Sequence, residues 1–246
     1  YEDVEKIIGD KDISFKQYID NVINKYKGKT QKELMNLFNI ESNAKNLNAM
    51  LISRMFGVKG NLSETDEFLK ANIVPRTIRV EENGRIKESM PFPAFKFTDI
   101  VNQEWGTSDL REELESTKYM FFVFKMIDGE YVFKGIKLWN MPELTLENEV
   151  KDMWNKTIEI IKSGDIVRAF DTNGNRLTNF PGMSDNKVCH VRPHARNSND
   201  VDELPNGKTI TGKKTYVIKT YGELTIENDY NGYAGGFVGA VQHGEI

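Results

Sequence analysis

Residues 119–139 read YMFFVFKMIDGEYVFKGIKLW, and this stretch decides the fold class. Tyr119–Met126 and Tyr131–Trp139 are aromatic, β-branched runs of strand length, separated by Asp128-Gly129. An Asp-Gly pair accepts the positive φ values of a tight turn, so the stretch reads as a β-hairpin. On its C-terminal side, Glu147–Lys162 carries Val150, Met153, Trp154, Ile158 and Ile161 at helical spacing, stopped by Gly164. On its N-terminal side, Ile73–Val80 reads as a strand that Pro75 sends to an edge or bulge, and Asn83-Gly84 is a turn. Phe97, Ile100, Val101 and Trp105 form a short helical pattern, and Ser108 is placed to cap another through Glu115.

The first sixty residues are helical in pattern. Ile13, Phe15, Tyr18, Ile19, Val22, Ile23 and Tyr26 make one stripe ending at Gly28. Shorter helices fit Thr30–Phe38 and Ala44–Phe56, and their apolar stripes read as core packing. Lys187–Arg192 is a short strand running into Pro193, Tyr216–Ile226 a strand broken at Tyr221-Gly222, and Ala234–Gly239 a flexible run. The expectation is an α/β (α+β) chain with a mixed central sheet flanked by helices and an N-terminal helical segment. Residues 1–60 are read as a helical leader packed on the core and 61–214 as the core. Residues 215–246 are read as a divergent tail, or one added in expression.

The 246 residues suffice for one medium domain with an extra segment or for two small ones. Hydrophobic residues make up 39%, which argues against wholesale disorder. A single cysteine, Cys189, excludes an internal disulfide and a cysteine-cluster zinc site, and fits a cytoplasmic location. No apolar run approaches membrane-helix length and no secretory signal opens the chain, so no membrane partner is expected. It begins at Tyr1 in acidic sequence and is read as a piece of something longer.

A net charge of −4 argues against non-specific coating of nucleic acid, yet the charge is uneven. From Lys187 to Lys219 there are seven lysines and arginines against Asp200, Asp202 and Glu203, a local +4. Within it, Val188-Cys189-His190-Val191-Arg192-Pro193-His194-Ala195-Arg196-Asn197-Ser198 runs from a strand into a basic, amide-bearing loop. Proline lacks an N–H and fixes its backbone, so it ends the ladder and projects the following residues outward. Arginine can bond guanine in bidentate fashion, asparagine adenine, and lysine phosphate. Charge alone would equally describe a solvated loop. A metal site at Cys189, His190 and His194 is disfavoured, because Pro193 opposes the helix that would align the two histidines. A Cys189–His190 nucleophile pair is disfavoured too, since adjacent strand residues face opposite sides.

Cys189–Ser198, followed by Leu204-Pro205-Asn206-Gly207, resembles the DNA-recognition stretch of the MutH mismatch-repair nuclease and the Sau-type GATC restriction endonucleases. Other motifs resemble the C-terminal half of the Sau-type enzymes in the same order. They are Glu88-Ser89-Met90-Pro91-Phe92, Phe95-Lys96-Phe97, Asn102-Gln103-Glu104-Trp105 and Phe121-Phe122-Val123-Phe124. Phe133-Lys134-Gly135-Ile136-Lys137, Met141-Pro142-Glu143 and Val150-Lys151-Asp152-Met153-Trp154 continue the series. The likeness implies a MutH-like restriction-endonuclease fold and sequence-specific binding of GATC duplex DNA. It implies the regulatory half of a type II enzyme, activating a separate N-terminal catalytic half. Arg192 and His194 would then lie at base edges or neighbouring phosphates, with Arg196 and Asn197 in support and Lys187, Lys208 and Lys213 at phosphates. His194 stands where MutH carries a lysine, and beyond Thr211 the tail departs from the family pattern.

Nucleases of this family cut with an acidic residue followed by Glu-x-Lys on a strand, the carboxylates holding Mg²⁺. Here Val74 stands at the glutamate position and Arg76 at the lysine position, while Glu67 or Asp66 would be the first acid. The likeness therefore implies no catalytic residue, metal or cofactor in this chain, with Mg²⁺ serving the full-length enzyme. Glu149-Val150-Lys151 is a literal Glu-x-Lys, but it falls in a predicted helix, where i and i+2 diverge by about 200°. Two other readings stand beside this one. The chain is a competent Mg²⁺-dependent MutH-like endonuclease, or an interaction module that only docks on the catalytic half.

Overall fold

The computed structural model describes residues 5–9, 11–86, 90–167, 169–173, 176–182, 184–186, 188–193, 201–205, 209–211 and 214–218. In chain order, helices α1 (Phe15–Tyr26), α2 (Gln31–Phe38), α3 (Leu47–Met55) and α4 (Asp66–Lys70) precede strand β1 (Ile73–Val80). Strand β2 (Met90–Phe95), helices α5 (Phe97–Ile100) and α6 (Asp109–Ser116), and strands β3 (Lys118–Ile127) and β4 (Glu130–Trp139) follow. Helix α7 (Glu143–Thr145) runs through a π-helical turn, Leu146–Val150, into α8 (Lys151–Ser163). Short strands β5 (Ala169–Phe170), β6 (Arg176–Leu177), β7 (Cys189–Pro193), β8 (Val201–Glu203), β9 (Thr209–Thr211) and β10 (Lys214–Ile218) complete the described chain. The result is an α+β architecture with a mixed sheet flanked by helices.

The chain forms two compact units, each built from separated pieces. The first draws on Tyr1–Lys87 and Ser116–Asn140, the second on Glu88–Glu115 and Met141–Gly235. In the first unit, β3 lies between β1, which it pairs in parallel, and β4, which it pairs antiparallel. Asp128 (φ 50°) and Gly129 (φ 80°) form the tight turn of the β3–β4 hairpin, as their residue types require. Ser14 and Thr30 start α1 and α2 through capping boxes with Gln17 and Glu33. Each box satisfies backbone donors that a helix start otherwise leaves orphaned.

The apolar stripes of these helices close over one face of the sheet. Ile19, Val22, Tyr26, Leu34, Leu51, Met55, Phe56 and Phe68 form one buried cluster with Met120, Phe122, Phe124 and Phe133. Phe56 meets Phe68 and Phe122 edge-on at 5.9 and 5.8 Å. The turn after α1 also covers part of the β4 edge. Gly28 N–H donates to the Phe133 carbonyl (2.8 Å), and Phe133 N–H donates to that of Lys29 (2.9 Å). Gly28 has φ 88°, open only to glycine without strain. Residues 5–8 are tied to the start of α4: Glu67 accepts from the N–H groups of Ile7 (3.0 and 3.1 Å) and Ile8 (2.8 Å).

In the second unit β10 is central, pairing antiparallel with β2 and β7. Strand β2 carries Pro91 and Pro93, and the sheet holds it at an edge, where a missing N–H costs no ladder bond. Helix α8 lies against β7. The helix expected from Glu147 begins instead at Glu143, after Pro142, whose φ of −64° suits a helix start. The pattern expected through Trp105 splits into α5 and a 3₁₀ turn at Trp105–Thr107. Ser108 then caps α6, accepting from the Arg111 N–H (3.3 Å). Glu147 is the polar hub of this unit. Its carboxylate accepts from Trp105 Nε1 (3.0 Å), Arg111 Nε (2.9 Å) and Lys151 Nζ (3.3 Å).

Two outcomes follow from this packing. Phe122 is fully buried, so Phe122→Ala is expected to lower the unfolding free energy by about 3–5 kcal/mol in urea titration. Leu138→Ala, on a half-exposed side chain, is expected to stay within about 0.5 kcal/mol. The second concerns pH. Burial alone would raise the Glu67 carboxyl, but the N–H bonds from Ile7, Ile8 and Glu67 itself outweigh it and hold the group below its usual value. A depressed carboxylate stabilises the fold above its unfolded pKa, and that contribution is lost as pH falls through the folded pKa. Urea midpoints of wild type and Glu67→Gln are therefore expected to differ at pH 7 and to converge as both are acidified below the carboxylate range.

Candidate nucleic-acid interface

Strand β7 is locked in place before the basic segment begins. The Asn186 side chain accepts the N–H groups of Val188 (2.9 Å) and Cys189 (3.0 Å) and donates to the Glu149 carbonyl (2.7 Å). Val191 N–H donates to the Pro181 carbonyl (2.9 Å), and β10 pairs along the other edge from Cys189 to Pro193. Val188, Cys189, His190 and Val191 are all buried. The strand is thus a fixed root for whatever follows Pro193, which pairs with Lys214. Strands β8 and β9 pair antiparallel, Val201 with Thr211 through Glu203 with Thr209.

Of the residues expected to touch DNA, Arg192 has its backbone in β7, opposite Thr215. His194, Arg196, Asn197, Lys187, Lys208 and Lys213 lie outside the described residues. The disfavoured nucleophile pair at this strand meets a further obstacle. Burial, aided by the Glu149 and Asp152 carboxylates, pushes the Cys189 thiol far above its usual pKa, so the nucleophilic thiolate does not form near neutrality. Among the described residues no group of three metal-binding side chains comes together.

Glu67, Val74 and Arg76 lie in the first unit. Val74 and Arg76 are two apart on β1 and share one face of the sheet, in register with Tyr119 and Phe121. Glu67 is committed to the Ile7 and Ile8 backbone, and neighbouring Asp66 to Lys70 (2.7 Å). Both carboxylates therefore have structural partners. Glu149-Val150-Lys151 sits where the π-helical turn passes into α8, with Val150 buried and Lys151 bonded to Glu147.

Electrostatics sort the remaining surface. A polar cleft of about 580 Å³ in the second unit carries Glu147, Glu149, Asp152 and Asp185 against Lys151 alone. Such a field repels phosphate, which makes this cleft a poor seat for a nucleic-acid backbone. A second cavity, about 290 Å³, is lined by Phe92, Ile100 and Leu110 together with Lys96, Asp99 and Glu113. Neither concavity is signalled by any local sequence pattern. Cross-strand neighbours were equally hidden: Lys137 lies opposite Phe121, which lies opposite Arg76.

No family model matches the chain. Over 225 residues it is 34% identical to the type II restriction enzyme Sau3AI of Staphylococcus aureus, a match covering 82% of this chain and 44% of that enzyme. The chain thus spans less than half the length of the curated relative it matches. No helix among the described residues is long and apolar enough to cross a membrane. With most of its length aligned at this identity, the chain is a relative of the Sau3AI type II restriction enzyme.

Proposed function

We propose that this chain binds duplex DNA sequence-specifically at GATC, as the regulatory, non-cutting half of a MutH-like type II restriction endonuclease in the cytoplasm. The similarity to a restriction enzyme along most of the chain carries this reading. The strand-rooted basic segment after β7 supports it. Arg192 and His194 are assigned to base edges or adjacent phosphates, Arg196 and Asn197 to supporting contacts, and Lys187, Lys208 and Lys213 to phosphates. The partner of this half is a separate catalytic half, activated when bound DNA favours one arrangement of the two.

The non-cutting assignment rests on the donor set at Glu67, Val74 and Arg76. Magnesium requires several hard oxygen ligands and is usually bound through one or two carboxylates. Val74 supplies none, Arg76 adds a positive charge, and Glu67 already accepts backbone N–H bonds. These residues do not fit the ion, and no hydrolytic step is assigned to them. Mg²⁺ is assigned to the catalytic half.

Fluorescence anisotropy with a GATC duplex and a scrambled one, metal-free and across a salt series, tests the reading. Preference for GATC that survives physiological salt is expected. Arg192→Ala is expected to weaken GATC binding by about 1–3 kcal/mol and to narrow the preference. Equal, salt-sensitive affinity for both duplexes would reduce the segment to a basic patch, and no binding would leave a docking module. Supplied with Mg²⁺, the chain alone is expected to leave GATC plasmid intact, and nicking would restore the nuclease reading.

A further inference from the structure

One buried amide joins the root of β7 to the helical segment that packs on it. Asn186 Oδ1 accepts from the N–H groups of Val188 (2.9 Å) and Cys189 (3.0 Å), two and three residues on, which closes an Asx-type turn where the strand begins. Its Nδ2 donates over 2.7 Å to the carbonyl of Glu149, 37 residues earlier, in the π-helical turn ahead of α8. The side chain is only 8% exposed, although asparagine is mostly a surface residue. An asparagine side chain offers two donors and two acceptor lone pairs, and backbone groups take three of the four.

The far end of this tether is firm. Leu146 and Val150 of the π-helical turn are buried, and between them Glu147 takes Trp105, Arg111 and Lys151 as donors. At the near end, pairing with β10 from Cys189 to Pro193 holds β7 in its sheet, and α8 packs against it. Apolar packing resists separation but has no direction, whereas hydrogen bonds are angular. The Asn186 bonds therefore set where along the helical segment the strand starts. That setting matters more for some contacts than for others. A bidentate arginine–base pair needs its fork held to within about 0.5 Å, while a lysine meets a phosphate as a point charge and tolerates a small shift.

We infer that Asn186 is a positioning residue for base recognition, setting the depth at which β7 presents Arg192 to the DNA. This inference rests on the DNA-binding reading above and gives Arg192 its support. Asn186 touches no nucleic acid itself. Its side chain is neutral and buried, so it adds nothing to the attraction of phosphates and acts on selectivity alone.

The test uses the whole chain, labelled GATC and scrambled duplexes, and anisotropy across a salt series. Asn186→Ala is expected to cut the preference for GATC over the scrambled duplex by about tenfold, the worth of one bidentate base contact. The slope of log affinity against log salt, which counts phosphate contacts, is expected to stay at the wild-type value. Asn186→Ser keeps a hydroxyl that can accept in the local turn but is too short for the Glu149 carbonyl, and is expected to lose preference in part. It carries the test if the alanine variant fails to fold by circular dichroism. In an Arg192→Ala background, Asn186→Ala is expected to cost no further preference, because the two act as one unit. Asn140→Ala, which removes a bond to the Thr117 carbonyl in the first unit, is expected to change nothing. Preference unchanged in folded Asn186 variants would overturn the inference while sparing the DNA-binding reading. Equal weakening of both duplexes with a lower slope, or a second loss in the Arg192→Ala background, would reduce Asn186 to a general structural role and overturn it too. Wild type without preference for GATC would remove both readings.

Discussion

Strand β3 is apolar on both faces from Tyr119 to Phe124, and each of these six residues is at most 1% exposed. A half-solvated strand would alternate; this one has no face it can show to water, so both must be covered wherever the chain folds. One face obliges the N-terminal helices to form and dock, because Phe122 and Phe124 complete the cluster that also buries Leu34, Leu51 and Phe68. The other sets Tyr119 and Phe121 against Trp139, with buried Val123 opposite buried Ile78 of β1. The same packing fixes the register of β1 and β4 on either side. A one-residue slip would exchange every side chain between the two faces, which fully buried aromatic rings do not tolerate. The position of Arg76 opposite Lys137 is thus a by-product of burying β3.

What could be read from residues alone divides along the range of the interactions involved. The β3–β4 hairpin was legible because Asp128-Gly129 and two apolar runs are local signals, and α1 and α2 because their apolar residues recur at helical spacing. Strand β2 was not legible. Prolines at 91 and 93 supply no local strand signal, and only the pairing with β10, more than a hundred residues later, makes an edge strand of it. Glu147 was missed as a hub because its donors Trp105 and Arg111 come from 42 and 36 residues away. Likewise the commitment of Glu67 to Ile7 and Ile8 leaves no mark in the sequence. Of the proposed DNA contacts, the charge-rich run after β7 was visible as composition. The alignment of Arg76, Phe121 and Lys137 across the sheet, by contrast, needed the register of three strands.

Charge is partitioned in this chain more than its net value suggests. Carboxylates gather beside the start of α8, with Asn186 binding both that helix and β7. Around the cleft they fill, an approaching polyanion meets repulsion. Salt screens that repulsion with distance.

The order in which the strands pair has a consequence for synthesis on the ribosome. Helices α1 to α4 bury their apolar stripes against β3 and β4, yet Trp139 emerges seventy-one residues after Phe68. At typical elongation rates the nascent leader waits on the order of ten seconds with its core side chains in water. The second unit waits longer still, since β2 and β7 meet only through β10, the last strand described. Each unit is therefore closed by a late arrival. A ribosome stalled between Phe68 and β3 would display an uncovered apolar surface, the kind of nascent chain that recruits chaperones.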